Sequence, residues 1–210
     1  MKITNHILLL ITLLFLSNCQ VAKEKHIDNR RARICKRKQR YDSINKAHQW
    51  KEIKPKLWMD KDGVLGIKTI EGNAAGIDVE KFITLCGEKT IKSVIDTASF
   101  QYLGSSFFKD KNHVYTHYKT ACGGSFWIVK EADPSTFETI GDCYAKDENH
   151  IYSEREMLLD SVDYNTFKTK KGIGCFAKDK YGYYFWDTKL DSEQLLDSLV
   201  RKKVLELKDL

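Results

Sequence analysis

A short motif that returns along the chain restricts its fold more than any other feature. Its copies are Asp60-Lys-Asp-Gly63, Asp110-Lys-Asn-His113, Asp147-Glu-Asn-His150 and Asp179-Lys-Tyr-Gly182, each followed by apolar or aromatic residues such as Val114-Tyr115 and Ile151-Tyr152. Asp opens a type I turn well because its carboxylate can accept from the backbone amide two residues on, and Asp or Asn suits the third position. Gly or His at the fourth position suits a left-handed residue closing a hairpin. The flanking residues are then expected to pair as strands.

A second motif runs out of phase with the first: Ile77-Asp78-Val-Glu-Lys-Phe82, Ile95-Asp96-Thr-Ala-Ser-Phe100, Ala132-Asp133-Pro-Ser-Thr-Phe137 and Val162-Asp163-Tyr-Asn-Thr-Phe167. An Asp cap, Pro134 at the first helical position and an apolar residue placed to staple onto the Phe describe one short helical turn. The spacing between successive copies of either motif, from Asp96 and Asp110 onward, is 30 to 37 residues. A period of that size indicates units that cannot bury their own apolar face and must stack on their neighbours. The expected fold is mainly β: stacked hairpin repeats of about 30–37 residues with short capped turns, closed by a C-terminal amphipathic helix.

The pairing of Asp-Lys-Asn-His-Val-Tyr with Ala-Asp-Pro-Ser-Thr-Phe-Glu resembles the DKNYY family over roughly residues 57–190. The tyrosine pair is incomplete in Val114-Tyr115-Thr116 and at Tyr181-Gly182. The resemblance implies a bacterial repeat protein, often a lipoprotein, and brings no catalytic residue with it.

The N-terminus is organised differently. Ile7 to Leu16 is apolar except for Thr12, far short of the roughly 20 residues that span a bilayer, and Leu16-Ser17-Asn18-Cys19 resembles a bacterial lipobox. Residues 1–18 are therefore expected to be a signal peptide and Cys19 the lipidated N-terminus, with Gln20 resembling the residue that follows Cys in lipoproteins sent to an outer membrane. The expected location is the cell envelope, lipid-anchored, with the outer membrane of a Gram-negative bacterium as its membrane. An ordinary secretory peptide with an incidental Cys is the alternative. Residues 23–56 hold 13 Lys or Arg against 4 Asp or Glu, a net of +9 in a chain of net +6, so with Lys2 set aside residues 57–210 carry −4. Residues 19–56 read as anchor and basic tether, either a solvated spacer, in part helical through Arg31 to Trp50, or a segment attracted to anionic lipid or glycan. Nucleic acid is not an expected partner of an exported chain.

From Asp191 the apolar period changes to 3.6, with Leu195, Leu196, Leu199, Val200, Val204 and Leu207 on one face and Asp191 with Gln194 spaced as a capping box, so residues 191–210 are expected to form the closing helix. The DKNYY-like repeats occupy 57–190, and a content of 42% hydrophobic residues over 210 suffices for one core. Repeated aromatics at strand spacing read as core between units, with a ligand surface as the alternative.

Six Cys in an exported chain point to disulfides. Cys143 and Cys175 stand before Tyr-Ala-Lys-Asp and Phe-Ala-Lys-Asp, so equivalent places in adjacent units bring them together; Cys86 with Cys122 is the second candidate pair, leaving Cys35 over. The best enzyme reading takes Cys122, beside Gly123-Gly124, as nucleophile with His113 or His117 as base. The turn aspartates lack the further oxygen donors of a calcium loop, and no cofactor or metal is expected. The sequence thus favours a non-catalytic interaction or structural module binding an envelope protein. A Cys-dependent envelope enzyme and an immunity or inhibitor lipoprotein with one protein partner are the alternatives.

Overall fold

A computed structural model of the chain describes residues 28–73, 76–155 and 157–210. The expected signal segment, residues 1–18, and Cys19 lie outside the described residues. The chain is mainly β, built from antiparallel sheets whose strands follow one another in sequence. The first sheet holds β1 (Lys51–Lys54), β2 (Leu57–Met59), β3 (Leu65–Glu71) and β4 (Val79–Ile83). A small hairpin, β5 (Leu85–Cys86) with β6 (Lys89–Thr90), and the helical turn α2 (Ile91–Val94) lead into the second sheet. That sheet comprises β7 (Gln101–Gly104), β8 (Phe107–Lys109), β9 (Val114–Tyr118) and β10 (Ser125–Ile128). The third contains β11 (Glu138–Thr139), β12 (Tyr144–Lys146), β13 (Ile151–Ser153) and β14 (Met157–Leu158). The fourth has β15 (Phe176–Asp179), β16 (Gly182–Phe185) and β17 (Thr188–Lys189).

The core lies between successive sheets, which follows from the two-residue period of a strand. On the second sheet Phe108 and Tyr115 join Leu57, Leu65 and Ile67 of the first, while their neighbours Phe107 and Val114 join Ala145 and Tyr152 of the third. The third sheet repeats the rule: Tyr144 and Ile151 face away from that cluster and pack with Ala177 and Tyr184 of the fourth. Phe100, Phe137 and Phe167 of the capped turns fill the three interfaces in turn.

Each end of the stack is covered by a helix. At the C-terminal end Val204 and Leu207 of α3 (Ser198–Lys208) are buried, and Lys170 and Lys178 donate to the carbonyls of Glu206 and Lys208. The expected capping box forms, with Gln194 N donating to Asp191 Oδ1 at 2.8 Å and Asp191 N to Gln194 Oε1 at 3.0 Å. It heads only a 3₁₀ turn, Gln194–Leu196, after which Asp197 caps α3 by accepting from Leu199 N and Val200 N. The restart rotates the expected apolar face, leaving Leu196 and Leu199 about three-quarters exposed.

The N-terminal end departs from a solvated tether. Helix α1, residues 28–48, lies on the first sheet, and the boundary expected at 56/57 falls inside the β1–β2 hairpin, where Lys54 pairs with Leu57. Its inward face is Ile34, Lys38, Tyr41, Asn45 and His48, partly buried at helical spacing. Arg37 bonds Glu71 at 2.9 Å, Asn45 Nδ2 donates to Glu80 O at 3.0 Å, and Lys81 sits 4.8 Å from the Tyr41 ring. Just after the helix, Trp50 stacks on Phe82 with centroids 4.3 Å apart. A Cβ on Gly66 would come within 3.0 Å of the Trp50 ring, so glycine there lets the indole lie flat on the sheet.

Candidate functional site

The two ends of the strands are chemically different, and the turn end is the more regular. At Asp110 the backbone hairpin closes through Asp110 N to His113 O at 2.9 Å, while Oδ1 accepts from Asn112 N and His113 N, both at 2.8 Å. Oδ2 accepts from Tyr115 Oη at 2.7 Å and from Asp96 N, in the preceding capped turn, at 2.8 Å. Asp147 repeats the arrangement with Asn149, His150, Tyr152 and Asp133. Asp179 does so with Tyr181, Gly182, Tyr184 and Asp163. One carboxylate thus fastens its own hairpin, the aromatic five residues on, and the turn before it.

Asp96, Asp133 and Asp163 each accept from backbone amides two or three residues on, as a cap should. The first copy does not follow: residues 79–83 are strand β4, so Asp78 caps no turn and Phe82 lies against Trp50 and Trp58. The left-handed assignment is also corrected for two turns. Gly63 has φ of 75°, but His113 and His150 are not among the positive-φ residues. At Asp110 and Asp147 the two amides held by Oδ1 close the loop without a positive-φ residue, whereas the Asp179 turn, held in the same way, has Gly182 at φ of 150°.

This wiring sets the acid–base behaviour of the turn end. Burial alone would raise the Asp147 carboxyl, but the Tyr152 hydroxyl and the amides of Asp133, Asn149 and His150 hold it below the ordinary value. Burial and the adjacent carboxylate push the phenols of Tyr115 and Tyr152 well up, and Tyr184 up to about 12. The oxygens of these turns are occupied by N–H and O–H donors, so their chemistry is structural.

The opposite end carries a groove. One stretch of about 250 Å³ is lined by Lys56, Lys68, Thr69, Tyr102, Ser105 and Lys119 among others. A second, of about 360 Å³, is lined by Ser106, Tyr118, Lys119, Glu154, Arg155 and Trp186. Lys119 belongs to both. Ser105 and Ser106 donate to Glu154 Oε2 at 2.7 and 3.0 Å, tying the second sheet to the third. Arg155 lies 5.3 Å from the Trp186 ring, and Tyr144 Oη is 2.8 Å from the carbonyls of Cys175 and Trp186. Lys56, Ser105 and Trp186 at this end have left-handed φ of 65°, 53° and 55°, a conformation costing non-glycine residues about 1 kcal/mol or more.

Residues 124–188 match the model of the DKNYY family.

The DKNYY match takes in β10, the whole third sheet and the fourth sheet to Thr188, and so includes both the Asp147 and the Asp179 turns. The second sheet carries the same network at Asp110 although its first three strands precede the match. No curated protein and no solved structure matches the chain.

Within the DKNYY stretch Cys143 is bonded to Cys175 with Cα atoms 5.0 Å apart, linking the third and fourth sheets. The second expected pair is not formed: Cys86 is buried in β5, Cys122 is exposed in the 119–124 loop, and both are free, as is Cys35. Burial pushes the Cys86 thiol up to about 11, which disfavours its thiolate. His113 sits at the Asp110 turn, at the other end of β9 from the loop that holds Cys122. His117 is buried, its Nε2 lies 3.4 Å from Gly123 O, and burial lowers its pKa. Gly123 and Gly124 have φ of 109° and 100°, so the Cys122 loop owes its glycines to backbone geometry. Cys143, Glu154 and Cys175 cluster closely enough to hold a metal, but two of the three sulfur and oxygen donors are joined in the disulfide. Sequence reasoning found the turn aspartates but missed their second oxygen. The tyrosine five residues after each of Asp110, Asp147 and Asp179 was the available signal.

Proposed function

We propose that this chain is a lipid-anchored envelope protein whose DKNYY stack is a non-catalytic interaction module. The observation that carries the reading is the division of labour between the two ends of the sheets. At one end polar groups are consumed in fastening neighbouring units, and at the other two adjoining clefts that share Lys119 are lined by residues from the first sheet to the fourth. The anchor rests on Cys19 and its lipobox. No helix among the described residues is long and apolar enough to cross a membrane, so attachment in this reading comes from acyl chains, which hold a protein firmly when more than one is present.

Helix α1 follows the anchor closely and turns Arg30, Arg31, Arg33, Lys36 and Arg40 outward, all exposed. Beside an anionic headgroup surface each such residue near the lipid adds about 1 kcal/mol, so α1 serves as both end cap and membrane-facing surface. The test is Cys19→Ala in the producing bacterium, read by detergent phase partitioning and the mass of the N-terminal peptide. The wild type should enter the detergent phase with a lipid-modified Cys19, and the variant should stay aqueous or uncleaved. A variant that still matures and partitions with detergent overturns the anchor.

A further inference from the structure

The groove opposite the Asp turns is lined by several cations that have no ion pair among the described residues. At the turn end Lys111 and Lys180 are paired, Lys111 lying 2.5 Å from Asp96 and Lys180 2.6 Å from Asp163. In the groove, Lys56, Lys119 and Arg155 form no ion pair among the described residues. Lys68 is paired with Glu80, and Glu154, the one carboxylate among the described residues lining the groove, is held by the hydroxyls of Ser105 and Ser106. This cationic strip stands out because residues 57–210 carry a net charge of −4. Lysines that close to one another and to low-dielectric walls focus a positive potential where an anion would sit.

We propose that this groove binds an extended acidic peptide segment of a protein partner. The proposal rests on the reading of the stack as a binding module and is independent of the anchor. Length follows from continuity: Lys119, Ser105 and Ser106 join the two stretches, so a ligand can run from Lys56 on the first sheet past Arg155 on the third to Trp186 on the fourth. Carboxylate side chains would meet Lys56, Lys119 and Arg155, and apolar side chains would meet Ile67, Ile70 and Tyr102 along the floor. An acidic glycan fits less well, because Ile67 and Ile70 suit apolar side chains that a sugar lacks, and of the groove's rings Tyr118 is exposed while the others are at least partly covered. Trp186 is flanked by Arg155 at 5.3 Å and by Phe185 at 4.6 Å, and Phe108 is buried.

The experiment uses the full chain in detergent with a fluorescein-labelled octaglutamate peptide, read by fluorescence anisotropy. Binding should weaken at least tenfold between 50 and 300 mM salt, because exposed charge–charge contacts are screened as the Debye length shortens, and at least tenfold again in Lys119→Gln/Arg155→Gln. The paired change Arg33→Gln/Lys36→Gln on α1 should leave it within about twofold. Zero-length carbodiimide coupling of the peptide to the unmutated chain should place cross-links on Lys56 or Lys119, a readout independent of how the variants fold. Absence of saturable binding overturns the proposal. So does binding lost with the α1 changes instead, cross-links confined to α1, or displacement by polygalacturonate at lower concentration than by unlabelled octaglutamate. Each of these outcomes leaves the Cys19 result untouched.

Discussion

At Asp147 the second carboxylate oxygen takes a phenol from its own hairpin and an amide from the preceding turn, whereas at Asp60 it takes His48 Nδ1, at 2.7 Å, from a helix outside the sheet. Both carboxylates also accept from two amides of their own turn, Asn149 and His150 in one, Asp62 and Val64 in the other. The difference arises because, among the described residues, no sheet precedes the first one. An interior turn can recruit a neighbouring unit's backbone, while a terminal turn needs a donor from a cap, and α1 supplies His48. A repeat thus keeps one acceptor and changes the donor according to what lies next to it.

The sharpest way to break this comparison is to remove the ring at matched places. Phe137 is 2% exposed between the second and third sheets, against Phe107 and Tyr152. Phe137→Ala should cost about 3–5 kcal/mol. Phe82, at the corresponding letter of the first copy, lies on the outer side of the first sheet between Trp50 and Trp58 and is only partly buried. Phe82→Ala should cost less than about 2 kcal/mol. Urea unfolding measures both, and equal losses would show that the terminal sheet is packed like an interior one.

The same pair shows where the sequence was legible. Asp and Phe at fixed spacing marked the capped turns at Asp96, Asp133 and Asp163 because a local cap depends on residues within one turn. The first copy, at Asp78, has identical letters and forms a strand, because Val79 to Ile83 has β3 to pair with from Ile67 to Glu71 and tertiary pairing outweighs a weak local preference. Helix α1 was read as a tether for a related reason. Its inward stripe of Ile34, Lys38, Tyr41, Asn45 and His48 holds one aliphatic residue, and it docks through ion pairs, amides and a tyrosine ring, which a hydrophobic period does not register. The groove was invisible because it joins Lys56, Lys119 and Arg155 from three sheets. The disulfide between Cys143 and Cys175 stood out only because both cysteines precede the same four-residue pattern.

A middle-sized effect tests the donors themselves. Tyr152→Phe removes a hydroxyl from a buried, ionised acceptor and should cost about 1.5–3 kcal/mol. His48→Phe should cost less, since the His48 side chain is 42% exposed and water can replace it. Acid adds a second readout. Asp147 and Asp60 are both held below their ordinary pKa, so each contributes stability that is fully present above the unfolded value of about 3.9 and is lost as pH falls through the lower folded value. Urea midpoints should therefore drop below about pH 4 in the native chain, and Asp147→Asn should flatten part of that drop. An unchanged acid limb in Asp147→Asn would show that the carboxylate is not an ionised hub.

The smallest effect separates a cap from its sequence. Asp133 Oδ1 accepts from Ser135 N at 2.9 Å, and its carboxylate also receives the hydroxyls of Ser135 and Thr136, which together hold its pKa down. Asp133→Ala removes every one of these bonds, while Asp133→Ser keeps a short oxygen able to accept from the same amide. The expected order in urea midpoint is native, then Asp133→Ser, then Asp133→Ala, with both losses smaller than that of Tyr152→Phe because the turn is open to water. Asp78→Ala, at the same letter of the first copy, should leave the midpoint within error, since the strand that follows needs no cap. Equal losses at Asp78 and Asp133 would mean that the first copy forms a capped turn in solution, and the first sheet would then end at β3 rather than β4.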